Sequence, residues 1–260
     1  GEYSFTVLAN TLITNTAMVP VELKNPQTVT WTKDGTMRPS AIGDSIDSVQ
    51  GNEVVGNGTS YSLRQAIQEA NALAGDDVIE LGAGTFTLSL ANVQEDFAAS
   101  GDLDIRQNLV IRGKGVGTTI IDATALASQS TTTNRDRLFQ ILSGVTVTIQ
   151  GVTIQKGAVT GSEDGGAIRN SGNLTILDSL IQNSTSQDDA GAINNTGTLT
   201  INRTTITGNT AVATGGAIRN AGTLFINNST LSNNRTTGAS GHGGALMNVA
   251  TFTATLEGVT

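Results

Sequence analysis

Four carboxylates give the sharpest chemical signal in this chain. Glu163-Asp164 and Asp188-Asp189 stand 25 residues apart, each pair directly ahead of a small-residue turn, Gly165-Gly166 or Ala190-Gly191. If that interval is a structural repeat, the four side chains stack. Carboxylates in contact are unfavourable unless a cation or partial protonation relieves the repulsion. Oxygen-rich clusters suit Ca²⁺, so these four residues are the candidate metal ligands. The plainer reading, in which flexible turns splay the acids into water, ranks ahead of Ca²⁺, and Ca²⁺ ahead of catalysis.

Catalysis would mean a polysaccharide lyase or glycoside hydrolase of the pectate-lyase-like β-helix type. Such enzymes use Ca²⁺ or an arginine in proton abstraction, or two carboxylates flanking a glycosidic bond. Arg169 follows the acidic turn and is the candidate base. At the next two repeats its place is taken by Asn194 and then Arg219, as happens at solvent-facing positions. Aromatic residues, which stack on sugar rings, are only 3% of the chain, and this weakens the sugar-processing reading. Asp102 and Asp104 alternate with Leu103 and Ile105, which predicts that the acids face solvent. The single histidine, His242, lies in a Gly-rich turn and reads as exposed. With no cysteine there is no thiol chemistry and no disulfide.

The elements that position these groups follow from internal repetition. Gly165-Gly166-Ala167-Ile168, Ala190-Gly191-Ala192-Ile193, Gly215-Gly216-Ala217-Ile218 and Gly243-Gly244-Ala245-Leu246 begin 25, 25 and 28 residues apart. Leu174-Thr175-Ile176 recurs as Leu199-Thr200-Ile201 and Leu224-Phe225-Ile226, and Leu180-Ile181 as Thr205-Ile206 and Thr230-Leu231. A unit this short with three alternating segments cannot bury a core alone, but coils stacked about 4.8 Å apart share one aliphatic column. The fold class expected is all-β: a right-handed parallel β-helix of three-strand coils of about 25 residues, with an N-terminal capping α-helix. The spacing predicts six or seven coils. Asn170, Asn195, Asn220 and Asn248 occupy one repeat position and form a candidate structural ladder, their amides bonding from coil to coil.

The ends of a solenoid need caps. Residues 62 to 74 supply one: Leu63, Ala66, Ile67, Ala70 and Leu73 keep helical spacing, Ser62 and Gln65 suit a capping box, and Gly75 stops the helix. The organisation expected is an N-terminal extension or arm over residues 1–58, a capping helix and first coil over 59–91, and the β-helix over 92–260, ending inside a coil. Within the arm, Phe5 to Leu8 and Thr28 to Trp31 read as short strands.

The net charge of −8 argues against nucleic acid, and no apolar run is long enough for direct membrane insertion. Residues 1–104 hold 14 acidic and 4 basic side chains, about −10, whereas residues 105–260 hold 8 and 10, about +2. Opposite charge at the two ends suits head-to-tail self-association.

Ser62-Leu63-Arg64-Gln65-Ala66-Ile67-Gln68-Glu69-Ala70-Asn71, followed by Asp76-Asp77-Val78-Ile79, resembles the helix-bearing start of bacterial surface β-helix proteins known for a Cys-Ser-Leu-Arg-Glu-Ala motif, with Tyr61 for the Cys and Gln65 for the Glu. The Gly-Gly-Ala-Ile units, with Ile206 to Asn209 and Leu231 to Asn234, are similar to the Gly-Gly-Ala-Ile and Phe-x-x-Asn repeats of chlamydial polymorphic outer-membrane proteins, with Ile or Leu for the Phe. The resemblance covers about residues 59–260. It implies a non-catalytic structural or adhesive solenoid, extracellular or on a cell surface; the expected partners are a host or matrix glycan or protein or, on the charge asymmetry, further copies of itself. It requires no cofactor, Ca²⁺ being the only candidate.

Overall fold

The computed structural model describes residues 62–72, 75–90, 97–127 and 136–260, together with five short strands before residue 38. Two compact units are present, residues 1–36 and 37–260. In the first, β1 (Glu2–Val7) pairs antiparallel with β4 (Gln27–Thr32), and β2 (Leu12–Thr14) with β3 (Pro20–Glu22). β4 contains the stretch expected from Thr28 to Trp31, and β1 contains Phe5 to Val7 of the other, Leu8 lying outside the described residues. A two-residue strand, β5 (Thr36–Met37), follows.

The second unit is a right-handed parallel β-solenoid. Its first described helix is α1 (Leu63–Ala72), whose Leu63, Ala66, Ile67 and Ala70 are buried, while Leu73 lies outside the described residues. The capping box forms as the sequence predicts: the Ser62 amide donates to Gln65 Oε1 at 2.8 Å and the Gln65 amide to Ser62 Oγ at 3.1 Å.

The chain then winds through parallel sheets. One sheet carries β6 (Asp77–Glu80), β9 (Leu109–Arg112), β12 (Thr146–Gln150), β16 (Asn173–Leu177), β20 (Thr198–Asn202), β24 (Thr223–Asn227) and β28 (Thr253–Glu257). The next carries β7 (Gly84–Thr87), β10 (Thr119–Asp122), β13 (Thr153–Gln155), β17 (Leu180–Gln182), β21 (Thr205–Thr207) and β25 (Thr230–Ser232). The third carries β8 (Leu103–Ile105), β11 (Phe139–Ile141), β15 (Ile168–Asn170), β19 (Ile193–Asn195), β23 (Ile218–Asn220) and β27 (Leu246–Asn248). A four-residue helix, α2 (Thr124–Ala127), follows β10.

Each complete coil also has a fourth strand, two residues long, which the repeat did not disclose. These strands are β14 (Ala158–Val159), β18 (Thr185–Ser186), β22 (Thr210–Ala211) and β26 (Arg235–Thr236). Four turns carry all four strands, β11 to β14, β15 to β18, β19 to β22 and β23 to β26. The six or seven coils expected from the sequence include incomplete levels on either side of these.

Register makes the core columnar. Phe139, Ile168, Ile193, Ile218 and Leu246 stack in one column, and Ile154, Ile181, Ile206 and Leu231 in another. Each fully buried aliphatic side chain contributes about 1.5–3 kcal/mol, and no single coil could supply the neighbours that bury it.

The Gly-Gly-Ala-Ile unit has a steric origin. Its first residue adopts positive φ, +73° at Gly165, +62° at Gly215 and +64° at Gly243, with Ala190 accepting +58° in the same place. At its second residue a Cβ on Gly166 would lie 2.5 Å from the Gly191 carbonyl oxygen, one on Gly191 2.3 Å from that of Gly216, and one on Gly216 2.0 Å from that of Gly244. Backbones of successive coils touch there, so only glycine fits.

Candidate functional site

The four candidate carboxylates come from the turns ahead of β15 and β19, and the structure does not keep them together. Glu163 turns back towards the preceding coil and meets Arg137, with Oε2 2.5 Å from Nη2, while Arg169 Nη1 lies 3.8 Å away. Asp164, Asp188 and Asp189 remain a group, one carboxylate oxygen from each lying within 4.8 Å of the others.

Arg137 is the centre that spacing could not reveal. Its side chain is 5% exposed and reaches Asp102 Oδ2 at 3.4 Å and Gln140 Oε1 at 2.9 Å as well as Glu163. Asp136 lies beside it, buried, its two oxygens accepting the backbone amides of Arg137 at 2.9 Å and Asp102 at 3.2 Å. Burial pushes the Asp136 carboxyl above its ordinary pKa and the charge of Glu163 adds to this, against the pull of Arg137 and the two amides. Burial works against the Arg137 charge, but Asp102, Asp136 and Glu163 outweigh it and hold the guanidinium more firmly protonated than usual. Arg137 Nε is buried without a hydrogen-bond partner among the described residues.

Asp102 and Asp104 are therefore not the solvent-facing pair that alternation predicts. Both are buried, along with Leu103 and Ile105. Period-two alternation assumes one wet face, but α1 and the segment from Phe97 to Gly101 cover the other side of β8. The Asp104 carboxylate accepts the Ala98 amide at 3.0 Å, tying that segment down.

The helix binds the same strand. Arg64, fully buried, donates to the carbonyls of Ala98 at 3.0 Å, Gly101 at 2.7 Å and Asp102 at 3.1 Å. The Asn71 amide donates to the Asp104 carbonyl at 2.7 Å and accepts the Arg106 amide at 2.8 Å. Side chains from α1 thus make the bonds that a preceding strand would have made to β8. The polar residues of the Ser-Leu-Arg…Ala-Asn stretch acquire a physical role: they satisfy an edge.

Among the remaining acids, Asp189 is engaged by the chain itself. Its Oδ2 lies 3.0 Å from Arg219 Nε, and its Oδ1 accepts the Thr214 amide at 2.8 Å and hydroxyl at 2.6 Å. Asp164 accepts the Asp189 amide at 3.1 Å and the Asn194 side-chain amide at 3.2 Å. Burial raises the Asp164 pKa, and Asp189 and Asp188 raise it further. Three carboxylates can give Ca²⁺ only part of the six to eight oxygens it takes, leaving backbone or water to supply the rest.

The balance between repulsion and cation binding can be measured. Asp188→Asn removes a like charge from beside Asp164, and in the presence of a chelator we expect a stability gain of about 0.5 kcal/mol, the size of a surface like-charge contact. The sign follows from Asp164: a carboxyl with its folded pKa raised stabilises the fold below its unfolded pKa and loses that contribution as pH rises through the folded one, so neutral pH is where the repulsion acts. Denaturant melts with Ca²⁺ and with chelator are the check. A Ca²⁺-dependent stabilisation of the parent chain that Asp188→Asn abolishes would show that the three acids bind the ion.

The asparagine ladder forms as expected. Asn170 Nδ2 donates to Asn195 Oδ1 at 2.7 Å, Asn195 to Asn220 at 2.7 Å and Asn220 to Asn248 at 2.6 Å, and each of the three donors also bonds a strand carbonyl of the next coil. The turns contain other ladders that spacing alone did not flag. Asn209 Nδ2 donates to Asn234 Oδ1 at 3.0 Å, and the Ser179, Thr204 and Ser229 hydroxyls each accept a backbone amide from the coil before. His242 is exposed, as expected, and Arg169 lies at the rim of a shallow depression beside Gln140 and Ser171.

No helix among the described residues is long and apolar enough to cross a membrane. No family model, curated protein or solved structure matches the chain.

Proposed function

We propose that this chain is a non-catalytic structural or adhesive β-solenoid, working outside the cell on a bacterial surface or in a matrix, whose coils associate end to end. One observation carries the reading: most of the polar side chains that the repeat brings into register are bonded along the rod axis, coil to coil. The Asn170 to Asn248 ladder, the Glu163–Arg137 pair and the Asp189 bonds to Thr214 and Arg219 all join adjacent levels. On the exposed surface Arg203 spans to Asp178 of the previous coil with bonds of 2.6 and 2.8 Å. Such groups build a rod. A catalytic centre would instead aim them at a cleft.

End-to-end association draws on the same pairing. The parallel in-register pairing that joins each coil to the next is the same pairing that would join a coil of one copy to a coil of another. The acidic first 104 residues and slightly basic remainder favour a heterologous, head-to-tail contact. The lateral faces are then left for a glycan or protein of the surroundings.

Light scattering after size exclusion and electron microscopy across a concentration series test the assembly. Oligomers growing into rods are expected, and a strict monomer without fibres at high concentration would sink it. Incubation with uronate polysaccharides and Ca²⁺ tests the other half of the reading. Unsaturated product appearing at an enzymatic rate would establish a lyase in its place.

A further inference from the structure

The first sheet presents an array that the rod itself does not use. On β12, β16, β20, β24 and β28 one outward column reads Thr146, Asn173, Thr198, Thr223, Thr253, and the next reads Thr148, Thr175, Thr200, Phe225, Thr255, all in register. Eight of these ten residues are threonine. Val147, Leu174, Leu199 and Leu224, which alternate with them, are fully buried, so the two columns share the outer face. Neighbours are about 4.8 Å apart across strands and about 6.7 Å along a strand, which makes a two-dimensional lattice of hydroxyls and methyls.

Two properties set this array apart. None of the eight hydroxyls is engaged by another protein group among the described residues, whereas Thr119, Thr204 and Thr214 elsewhere bond at 2.7, 3.0 and 2.6 Å. Neither column contains a charge. Threonine is β-branched and stiff at χ1, so binding such a face orders few side-chain rotamers.

A single molecule or a protein surface is recognised by unlike groups placed once. Repetition of one group on a lattice selects a ligand that itself repeats. It must be neutral, because nothing in the array attracts charge, and it must both donate and accept hydrogen bonds, as a hydroxyl does. Crystalline polysaccharide meets these conditions but relies on aromatic stacking, and Phe225 is the one ring in the array. We propose that the Thr146 to Thr255 face binds ice, its hydroxyls joining the ordered water lattice and its methyls occupying the spaces between. This ligand lies beyond the structural reading above and does not depend on end-to-end association, since the face runs along the side of the stack.

Phe225, 38% exposed, replaces a hydroxyl on the fourth of the five strands and should weaken the array. The full chain is assayed for thermal hysteresis and for inhibition of ice recrystallisation, alongside Thr175→Lys/Thr200→Lys and Phe225→Thr. These positions point outward, so circular dichroism and melting temperature verify that each variant is folded. We expect activity in the parent chain, a loss on the order of tenfold in the lysine variant, as for disruption at the centre of an interface, and a gain in Phe225→Thr. The inference is overturned if the parent chain leaves ice growth unchanged, if the folded lysine variant keeps full activity, or if the chain is retained on crystalline cellulose or chitin with no effect on ice. A monomer that binds ice would remove the assembly reading and leave this one standing.

Discussion

Arg137→Met is expected to destabilise the solenoid by about 3–5 kcal/mol at neutral pH, the usual consequence of removing one partner from a buried charge network. The loss comes from what is left behind. Asp102, Asp136 and Glu163 would face one another, and the first two lie in the interior. Methionine keeps much of the side-chain volume, so packing is the lesser change. The Asp136 pKa is already raised in the folded protein by burial, and losing the guanidinium that pulls it down moves it further in that direction. A carboxyl with a raised folded pKa stabilises the fold most below its unfolded value, about 3.9 for aspartate, and loses that contribution as pH rises through the folded value. The variant should therefore recover much of its deficit as pH falls from 7 towards 4. Urea melts at both pH values measure this. A deficit that does not change with pH would mean that the acids find other neutralisation, and Glu163→Gln in the Arg137→Met background should restore part of the loss at pH 7.

Arg64→Met is the second large effect, and its distribution is as informative as its size. Three buried carbonyls, of Ala98, Gly101 and Asp102, would lose a charged donor. The Ala98 carbonyl keeps the Gln68 Nε2 donor at 3.1 Å, so two groups are left unsatisfied, and at about 1–3 kcal/mol for each the fold loses roughly 2 kcal/mol or more. Lysine should rescue only in part, because one ammonium cannot reproduce the guanidinium fork. In a solenoid each coil contacts chiefly its neighbours, so the damage should be local. Hydrogen exchange is expected to accelerate over Phe97 to Ile105 and fade towards β15 and β19. Uniform acceleration along the rod would contradict nearest-neighbour coupling.

These two arginines mark the limit of what the sequence discloses. The coil, its core columns and the asparagine ladder were legible because they recur at 25 residues, and stacking turns recurrence into contact. The helix was legible through apolar spacing and its capping box. Arg137 has no counterpart one repeat later, so nothing in the periodicity tied it to Glu163, and the expected four-carboxylate stack lost a member to it. Asp102 and Asp104 obeyed the strand alternation yet lie inside, because a second layer packs over that end of the sheet. Their alternation with Leu103 and Ile105 is real, but alternation shows only which residues share a side, never whether that side is wet. The fourth strand escaped because two residues are too short to alternate. Arg64 did leave a trace: three residues before Ile67, it borders the apolar stripe of α1, which a buried role explains.

The way α1 completes β8 bears on how the rod comes into being. Parallel strands joined by long connections are slow to pair, because chain entropy opposes each closure before contacts reward it. Here the closures are nearly equal, one coil length at a time, and the first has a ready template. Arg64 and Asn71 offer β8 a line of donors and acceptors held by a local helix, which can form within the range of its own sequence. Since α1 precedes the coils, it emerges from the ribosome before them. Growth can then proceed as zipping from a nucleus made in advance, each finished level serving as the mould for the next.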